Sequence, residues 1–391
     1  MDDTADQGDL YEGREQTLVK HLILRNYLQR FAHIVGMKWT SITYVDCFSG
    51  PWNLKSEKQE DSSFAIALDE LRRARSSLKK YGRELQIRCF FIEKSRRSFA
   101  LLDAFAQSTQ DAEVVAKNSS LEDAINDIVQ FVHHGGPNSF PFIFIDPTGW
   151  TGFAMNTIRP LLQLKPGEVL INFMTGHIRR FMTLEESRES FQALFGSGDF
   201  LEELRGKKEQ DREDAAVRFY MQNLQKTGGF KHVCCAMVLH PEMDRTHFHL
   251  IYATRHAKGV EVFKEVERRA MEAMEQARAD AQQRKRKRTT GQDELFAGKV
   301  LHRSKHYEAL RERYLTRCKQ YLHSWLERKG RATYDDAWAV AMRAPMVWEQ
   351  DLREWLDSWK EDGLLQIHGL KPRARVLKRG EGIELIWGAK H

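Results

Sequence analysis

The sequence predicts an α/β fold: a seven-stranded, Rossmann-like sheet flanked by helices, followed by a small C-terminal helix–strand module. Three observations predict it. Seven short apolar runs, rich in β-branched and aromatic residues, punctuate the first 253 residues, each of strand length. Helix-period segments alternate with the first five runs, the signature of parallel strands covered on both faces. Only a short loop containing Pro241 separates the last two runs, 233–239 and 248–253, so they are expected to pair as an antiparallel hairpin.

Taken in order, residues 1–14 are polar and acidic and are expected to be disordered. A helix begins near Glu15, where Ile23, Tyr27, Phe31 and Ile34 form one apolar stripe. Strand one is 42–48, and 54–62 reads as a polar loop. A helix from Ser63 buries Phe64, Ala67, Leu68 and Leu71. Strands two to five fall at 87–92, 113–116, 142–145 and 168–174, with helices from Ser95, over 121–132 and over 154–164 between them. Polar helical material over 176–227 precedes the hairpin, and a charged helix over 259–282 follows it. The C-terminal module opens with a helix carrying Tyr307, Leu310, Tyr314, Leu315, Cys318, Tyr321, Leu322 and Trp325. Helices at 334–342 and 346–360 come next, then apolar runs at 364–368, 375–377 and 383–387, the last two joined by a turn at 378–382. Three helices, then strand, turn and strand, is the order of a winged-helix module. The domains are accordingly 15–258 (sheet domain), 259–304 (charged helix and basic linker) and 305–391 (winged helix).

Composition narrows the class. A chain of 391 residues exceeds what one core usually holds, so two domains are expected. With 41% hydrophobic and 30% charged residues it reads as globular. Its longest apolar runs are too short to cross a bilayer, and the acidic N-terminus is no secretory signal. Five cysteines, odd in number and without a C-x-x-C pair, point to reduced thiols in a cytoplasm and not to disulfides or zinc.

The net charge of +6 is unevenly distributed. Residues 281–331 hold 15 Lys and Arg against 5 Asp and Glu, leaving the remainder at −4. Arg284, Lys285, Arg286, Lys287 and Arg288 head this segment, and Lys299, Arg303, Lys305, Arg311, Arg313, Arg317 and Lys319 continue it. Such clustering is how a nucleic-acid contact appears in sequence; a solvated linker is the alternative.

The chemistry is expected at the strands' carboxyl ends, where open α/β sheets bind ligands. Asp46, Phe48, Ser49, Gly50 and Pro51 form a small-residue turn after strand one that lets backbone approach a nucleotide cofactor. The two-glycine form of that turn is absent, Trp52 standing where a second Gly would be. Glu93, ending strand two, suits a carboxylate accepting both ribose hydroxyls; its other reading is a carboxylate at the following helix's N-terminus. Asn118 can read an adenine edge, with Ser119 as a plain cap. Asp146-Pro147-Thr148-Gly149-Trp150 follows strand four, an Asp after a buried run, where Asp-Pro also starts ordinary turns. His240, His247, His249 and His256 invite a metal, but no Cys or carboxylate completes a spacing, so none is assigned.

Several segments resemble the three-Cys-motif partner (TcmP) family, class I methyltransferase-like proteins often followed by a winged helix. They are residues 20–28, 44–51 and 91–93, then 144–150, 168–181 and 250–256, together spanning most of 15–265. The resemblance implies an S-adenosylmethionine-dependent methyltransferase fold and a radical-S-adenosylmethionine-like three-Cys-motif partner protein. Asp46 is then expected at the methionine moiety or an ordered water. Asp146-Pro147 resembles the Asp/Asn-Pro-Pro-aromatic element of amino methyltransferases, whose side chain and backbone carbonyl hold the target amine while the aromatic ring, here Trp150, stacks on the base. Lys20-His21 is similar to the Lys-His pair near the cofactor in adenine-N6 RNA methyltransferases, which places Lys20 among the nucleic-acid contacts. Trp52 and Thr148 depart from the family pattern. Two functions are carried forward: a methyltransferase acting on nucleic acid, DNA or RNA, and a catalytically degenerate adaptor that binds nucleic acid and recruits a partner enzyme.

Overall fold

The computed structural model describes residues 11–50, 61–182, 184–207, 209–290, 304–370 and 376–388. The sheet domain runs α1 (Glu15–Gly36), β1 (Ser41–Asp46), α2 (Ser63–Lys79), β2 (Gln86–Glu93), α3 (Arg96–Ser108), β3 (Glu113–Asn118), α4 (Leu121–His134), β4 (Ser139–Ile145), α5 (Met155–Leu162) and β5 (Glu168–Phe173). Helices α6 (Thr175–Phe181), α7 (Arg188–Phe195), α8 (Phe200–Leu204) and α9 (Glu209–Gly228) precede the hairpin β6 (His232–Leu239) and β7 (Thr246–Thr254). Serine side chains start three of these helices: Ser62, Ser95 and Ser120 accept from the backbone N–H of Ala65, Ser98 and Asp123.

All seven expected strands form one sheet of order β3-β2-β1-β4-β5-β7-β6, with β7 antiparallel to both β5 and β6. Residues of the central strands alternate between two cores. Tyr44, Phe142 and Phe144 face α1 and α2, whereas Val45, Ile143 and Ile145 face α4, α5 and α9. β1 and β4 are parallel neighbours, but the order in which successive strands are added reverses between them, which opens a crevice at their carboxyl ends.

Helix α1 runs against the sheet and is pinned at both ends. Near the start of β5, the Tyr27 hydroxyl donates to Glu168 Oε2 at 2.6 Å, and Thr254 Oγ1 donates to Oε1 at 2.8 Å. Two turns earlier in the helix, about 10 Å along its axis, Lys20 reaches the opposite edge of the sheet. Ile23, Tyr27 and Phe31 are buried as the stripe requires, but Ile34 is 43% exposed and Val35 takes its place. Tyr11 is not disordered: it is buried, with its hydroxyl on His21 Nδ1 at 2.9 Å.

The C-terminal part comprises α10 (Ala257–Thr290), α11 (Lys305–Lys329), β8 (Arg331–Thr333), α12 (Tyr334–Ala341), α13 (Glu349–Glu361), β9 (Leu365–His368) and β10 (Glu384–Trp387). Strands β8, β10 and β9 make a small antiparallel sheet. Three expectations are corrected here. The third strand comes from 331–333, because Ala332 and Leu385 pair across the sheet, while Val376 and Leu377 are not strand and Arg375 lies outside the described residues. Helix α13 starts at Glu349 because Met346 takes a positive φ of 57° and gives its N–H to Glu267 Oε1 at 2.8 Å. Arg284–Arg288 belong to α10 and are not a linker.

The module packs on α10 and β6 through a core continuous with that of the sheet, and it meets α9 through polar contacts. Polar ties flank it: Lys264 Nζ donates to Ala344 O at 2.8 Å, and Tyr314 OH to Asp214 Oδ1 at 2.7 Å. The five cysteines are buried and unpaired, and among the described residues no helix is long and apolar enough to cross a membrane.

Candidate active site at the carboxyl edge of the sheet

Asp46 and Asp146, at the tips of neighbouring strands β1 and β4, anchor the site. Asp46 is fully buried. Ser63 Oγ donates to its Oδ2 at 2.6 Å and Phe48 N–H to its Oδ1 at 3.1 Å. Burial, opposed by those bonds and augmented by nearby Asp146, pushes its pKa up to about 6. The sign of the consequence is definite. A carboxyl that is harder to ionise when folded contributes stability below its unfolded pKa near 4, and that contribution is lost as pH rises through 6. Thermal melts of wild type and Asp46→Asn should therefore diverge between pH 4 and 6, by up to about 3 kcal/mol, with the variant's curve the flatter. Parallel curves would contradict the burial argument.

The turn after β1 is stitched to β2 through Ser49, whose N–H donates to Ile92 O at 2.7 Å and whose Oγ donates to Asp46 O at 2.9 Å. Phe48 and Gly50 are half-buried beside it, and Pro51 and Trp52 lie outside the described residues. Glu93 is buried at the end of β2, and desolvation raises its pKa. Its Oε1 accepts the Ser95 N–H at 2.5 Å, so one oxygen secures the start of α3. Asn118 uses its amide N–H groups on Glu93 O and Lys94 O, at 2.8 and 3.1 Å, fixing the same loop. The cap of α4 is Ser120, not Ser119.

Asp146 is held from two sides. Lys20 Nζ lies 2.5 Å from Oδ2, and Asn172 Nδ2 donates to Oδ1 at 2.7 Å. Lys20 thus lies against Asp146 at the carboxyl edge of the sheet, reached because α1 crosses the sheet antiparallel to the strands. Asn172 is 3% exposed, and its Oδ1 is buried without a hydrogen-bond partner. Sequence reading passed over it, although an amide inside the apolar run Val169-Leu170-Ile171-Asn172-Phe173 was the signal available.

Pro147 is buried and Thr148 exposed. Trp150 does not offer a free face to a base. Its ring stacks on Phe191 (5.5 Å between centroids, 19°) and packs on Phe181 (4.7 Å), while its Nε1 donates to Ser190 Oγ at 3.1 Å. It holds the loop after β4 onto α6 and α7, because an indole placed beside two phenyl rings gains more by burial than by exposure.

The donor set fits a nucleotide cofactor: a small-residue turn tied to β2, a carboxylate at the tip of β2, and a buried carboxyl at the tip of β1. This strand order and antiparallel β7 are those of class I methyltransferases. No protein-family model matches the chain, and no curated protein matches it by sequence. Among solved structures it is similar to protein LPL1258 from Legionella pneumophila, with 11% identity over 65% of this chain and 91% of that one and a TM-score of 0.39. It is also similar to a loganic acid methyltransferase with SAH (9% identity, 70% and 88% covered, TM-score 0.30). A third is the plantazolicin methyltransferase BpumL in complex with SAH (10%, 65% and 92%, 0.27). The strand order, not these distant likenesses, carries the fold assignment.

The basic segment is largely engaged within the molecule. Arg284 pairs with Glu15, Arg288 and Lys285 with Glu242, at 2.6 and 3.8 Å for the latter two. Arg313 and Arg317 bridge to Asp211 and Asp214, and Arg311 to Asp351 at 2.7 Å. Arg286 and Lys287 are exposed on the same turn of α10. Among the described residues no group of three or more His, Cys, Asp or Glu side chains is placed to hold a metal; His249 is buried against Thr175 Oγ1 at 2.7 Å.

Proposed function

We propose that the protein is an S-adenosylmethionine-dependent methyltransferase that modifies an amine on a nucleic acid. The observation that carries this reading is the Lys20–Asp146–Asn172 cluster at the β1/β4 crevice, beside the Ser49–Gly50 turn and Glu93. Glu93 and Asp46 would hold the cofactor, with Asn118 fixing the loop beside it. When bound, the cofactor supplies the methyl group as an electrophile. Asp146 accepts an N–H of the target amine, and the carbonyl of Pro147 is the further acceptor at hand. Positioning of this kind supplies much of the rate of a displacement reaction. Lys20 orients Asp146, and Trp150 shapes the loop. Exposed Arg286 and Lys287, with Arg284, Lys285 and Arg288 beside them, are retained as outer phosphate contacts.

The finer identity forms part of the same proposal: a member of the TcmP family whose C-terminal module is a winged helix, working in the cytoplasm with a radical-S-adenosylmethionine-like three-Cys-motif partner. The buried, unpaired cysteines are consistent with that compartment. Calorimetry is the test of the cofactor site. S-adenosylmethionine should bind wild type, and Glu93→Ala should weaken binding roughly 10-fold or more through loss of charge-assisted hydrogen bonds. Absence of binding to wild type at millimolar concentration would sink the enzyme reading.

One observation favours the adaptor reading instead. Both Asp146 oxygens are already bonded and Trp150 is already packed, so a scaffold without catalysis would need no rearrangement. Incorporation of labelled methyl into nucleic acid decides between the two.

A further inference from the structure

Three elements bring cationic and imidazole side chains together on the side of the crevice where Lys20 meets Asp146. They are α6 (His177, with Arg179 and Arg180 in its last turn), the β6–β7 hairpin (His240, Arg245, His247) and α1 (Lys20). The contact is close. A Cβ on Gly176 would stand 3.0 Å from His247 O, the rings of His240 and His247 are 5.5 Å apart, and His177 sits edge-on to Trp150 at 6.1 Å. The acids nearby are committed elsewhere. Glu213 is bonded to Arg179 at 2.6 Å, Asp146 to Lys20, Glu242 to Lys285 and Arg288, and Asp244 to Arg278 at 2.7 Å.

Among the described residues Arg180 and Arg245 form no ion pair, although Glu213, bonded to Arg179, acts on Arg245 from a distance, and Arg180 lies over the Phe181 ring at 5.8 Å. The excess of positive charge registers on the cluster itself. Burial and then Arg179 and Arg180 lower the Arg245 pKa, and burial followed by His240, His177, Arg245 and Lys20 pushes His247 down to about 4. A folded chain tolerates such an arrangement at a cost, and an anion bound there would relieve it. His240 lies within electrostatic reach of both Glu242 and Lys285, which relates this cluster to the basic end of α10.

We infer that Arg180 and Arg245, with His177, His240 and His247 as hydrogen-bonding partners, hold the backbone phosphates of the nucleic-acid strand whose base is presented to Asp146. The inference rests on the methyltransferase reading and adds where the strand is gripped. Two guanidiniums on separate elements at the crevice rim suit phosphodiesters, which accept from planar N–H donors in pairs.

The test is binding of end-labelled single-stranded RNA and DNA oligonucleotides across a salt series, by fluorescence anisotropy, for wild type, Arg180→Ala/Arg245→Ala and Arg180→Lys/Arg245→Lys. The alanine pair should bind at least 10-fold more weakly near physiological salt. Its slope of log affinity against log salt should be shallower by about 1.4, two phosphate contacts at about 0.7 each. The lysine pair should recover most of the slope. S-adenosylmethionine affinity and melting temperature should be unchanged in both, which separates a lost grip from a lost fold. If wild type binds strands and transfers methyl groups while the alanine pair keeps its affinity and slope, the grip is elsewhere and only this inference falls. If wild type binds neither RNA nor DNA, the nucleic-acid reading falls with it.

Discussion

Asp146→Ala is expected to abolish methyl transfer, lowering turnover by about 10²–10³-fold or more, the range found when one positioned polar group is removed from a reaction centre. The carboxylate stands beyond the end of β4 with Lys20 on one oxygen and Asn172 on the other. An alanine would remove the carboxylate that accepts from the target amine and leave a half-buried ammonium without its partner. Because that ammonium lies at the rim, with 14% of its side chain exposed, it can turn toward water and the fold should persist. S-adenosylmethionine affinity should change little, since Glu93 and the Ser49–Gly50 turn are untouched. Lys20→Met should fall between wild type and Asp146→Ala, because it frees the carboxylate without removing it. The measurement is incorporation of labelled methyl, paired with calorimetry for the cofactor. Turnover retained in Asp146→Ala would remove this residue from the mechanism.

The second large effect is on stability. Lys264 and Glu267, one turn apart on α10, form an ion pair with side chains 4% and 0% exposed. Each also ties α10 to the loop before α13, Lys264 through Ala344 O and Glu267 through the Met346 N–H. Lys264→Met should destabilise the protein by about 3–5 kcal/mol, because it strands a buried carboxylate. Lys264→Met/Glu267→Leu should recover much of that loss, since removing both charges also removes their desolvation. Chemical denaturation of the three proteins reads this directly. A single variant as stable as wild type would mean that Glu267 is neutral in the folded chain. Desolvation does raise its pKa, against the pull of Lys264, so the comparison should be made at pH 7 and repeated at pH 5.

Much of this was legible in sequence because it depends on neighbours along the chain. All seven strands, the helices between them, and the placement of Asp46, Glu93 and Asp146 at carboxyl ends follow from apolar periodicity and from where each run stops. Burial on both sheet faces demands uninterrupted apolar runs, and a polar residue marks the point where the strand leaves the core. The hairpin was legible for the same reason, being closed by a short loop.

What only the tertiary structure decided concerns charges and partners far apart in the chain. A cluster of 15 basic residues looked like a free polyanion surface, yet Glu15, Asp211, Asp214, Glu242 and Asp351 take up much of it. Lys20 meets Asp146 across 126 positions, and Trp150 turns inward onto Phe181 and Phe191. Strand β8 escaped notice because three residues are too few to show a period. Periodicity records which face of an element is buried but not which element covers it. Ion pairing and stacking depend on that second fact, which is set when distant segments close on one another and desolvate the same groups.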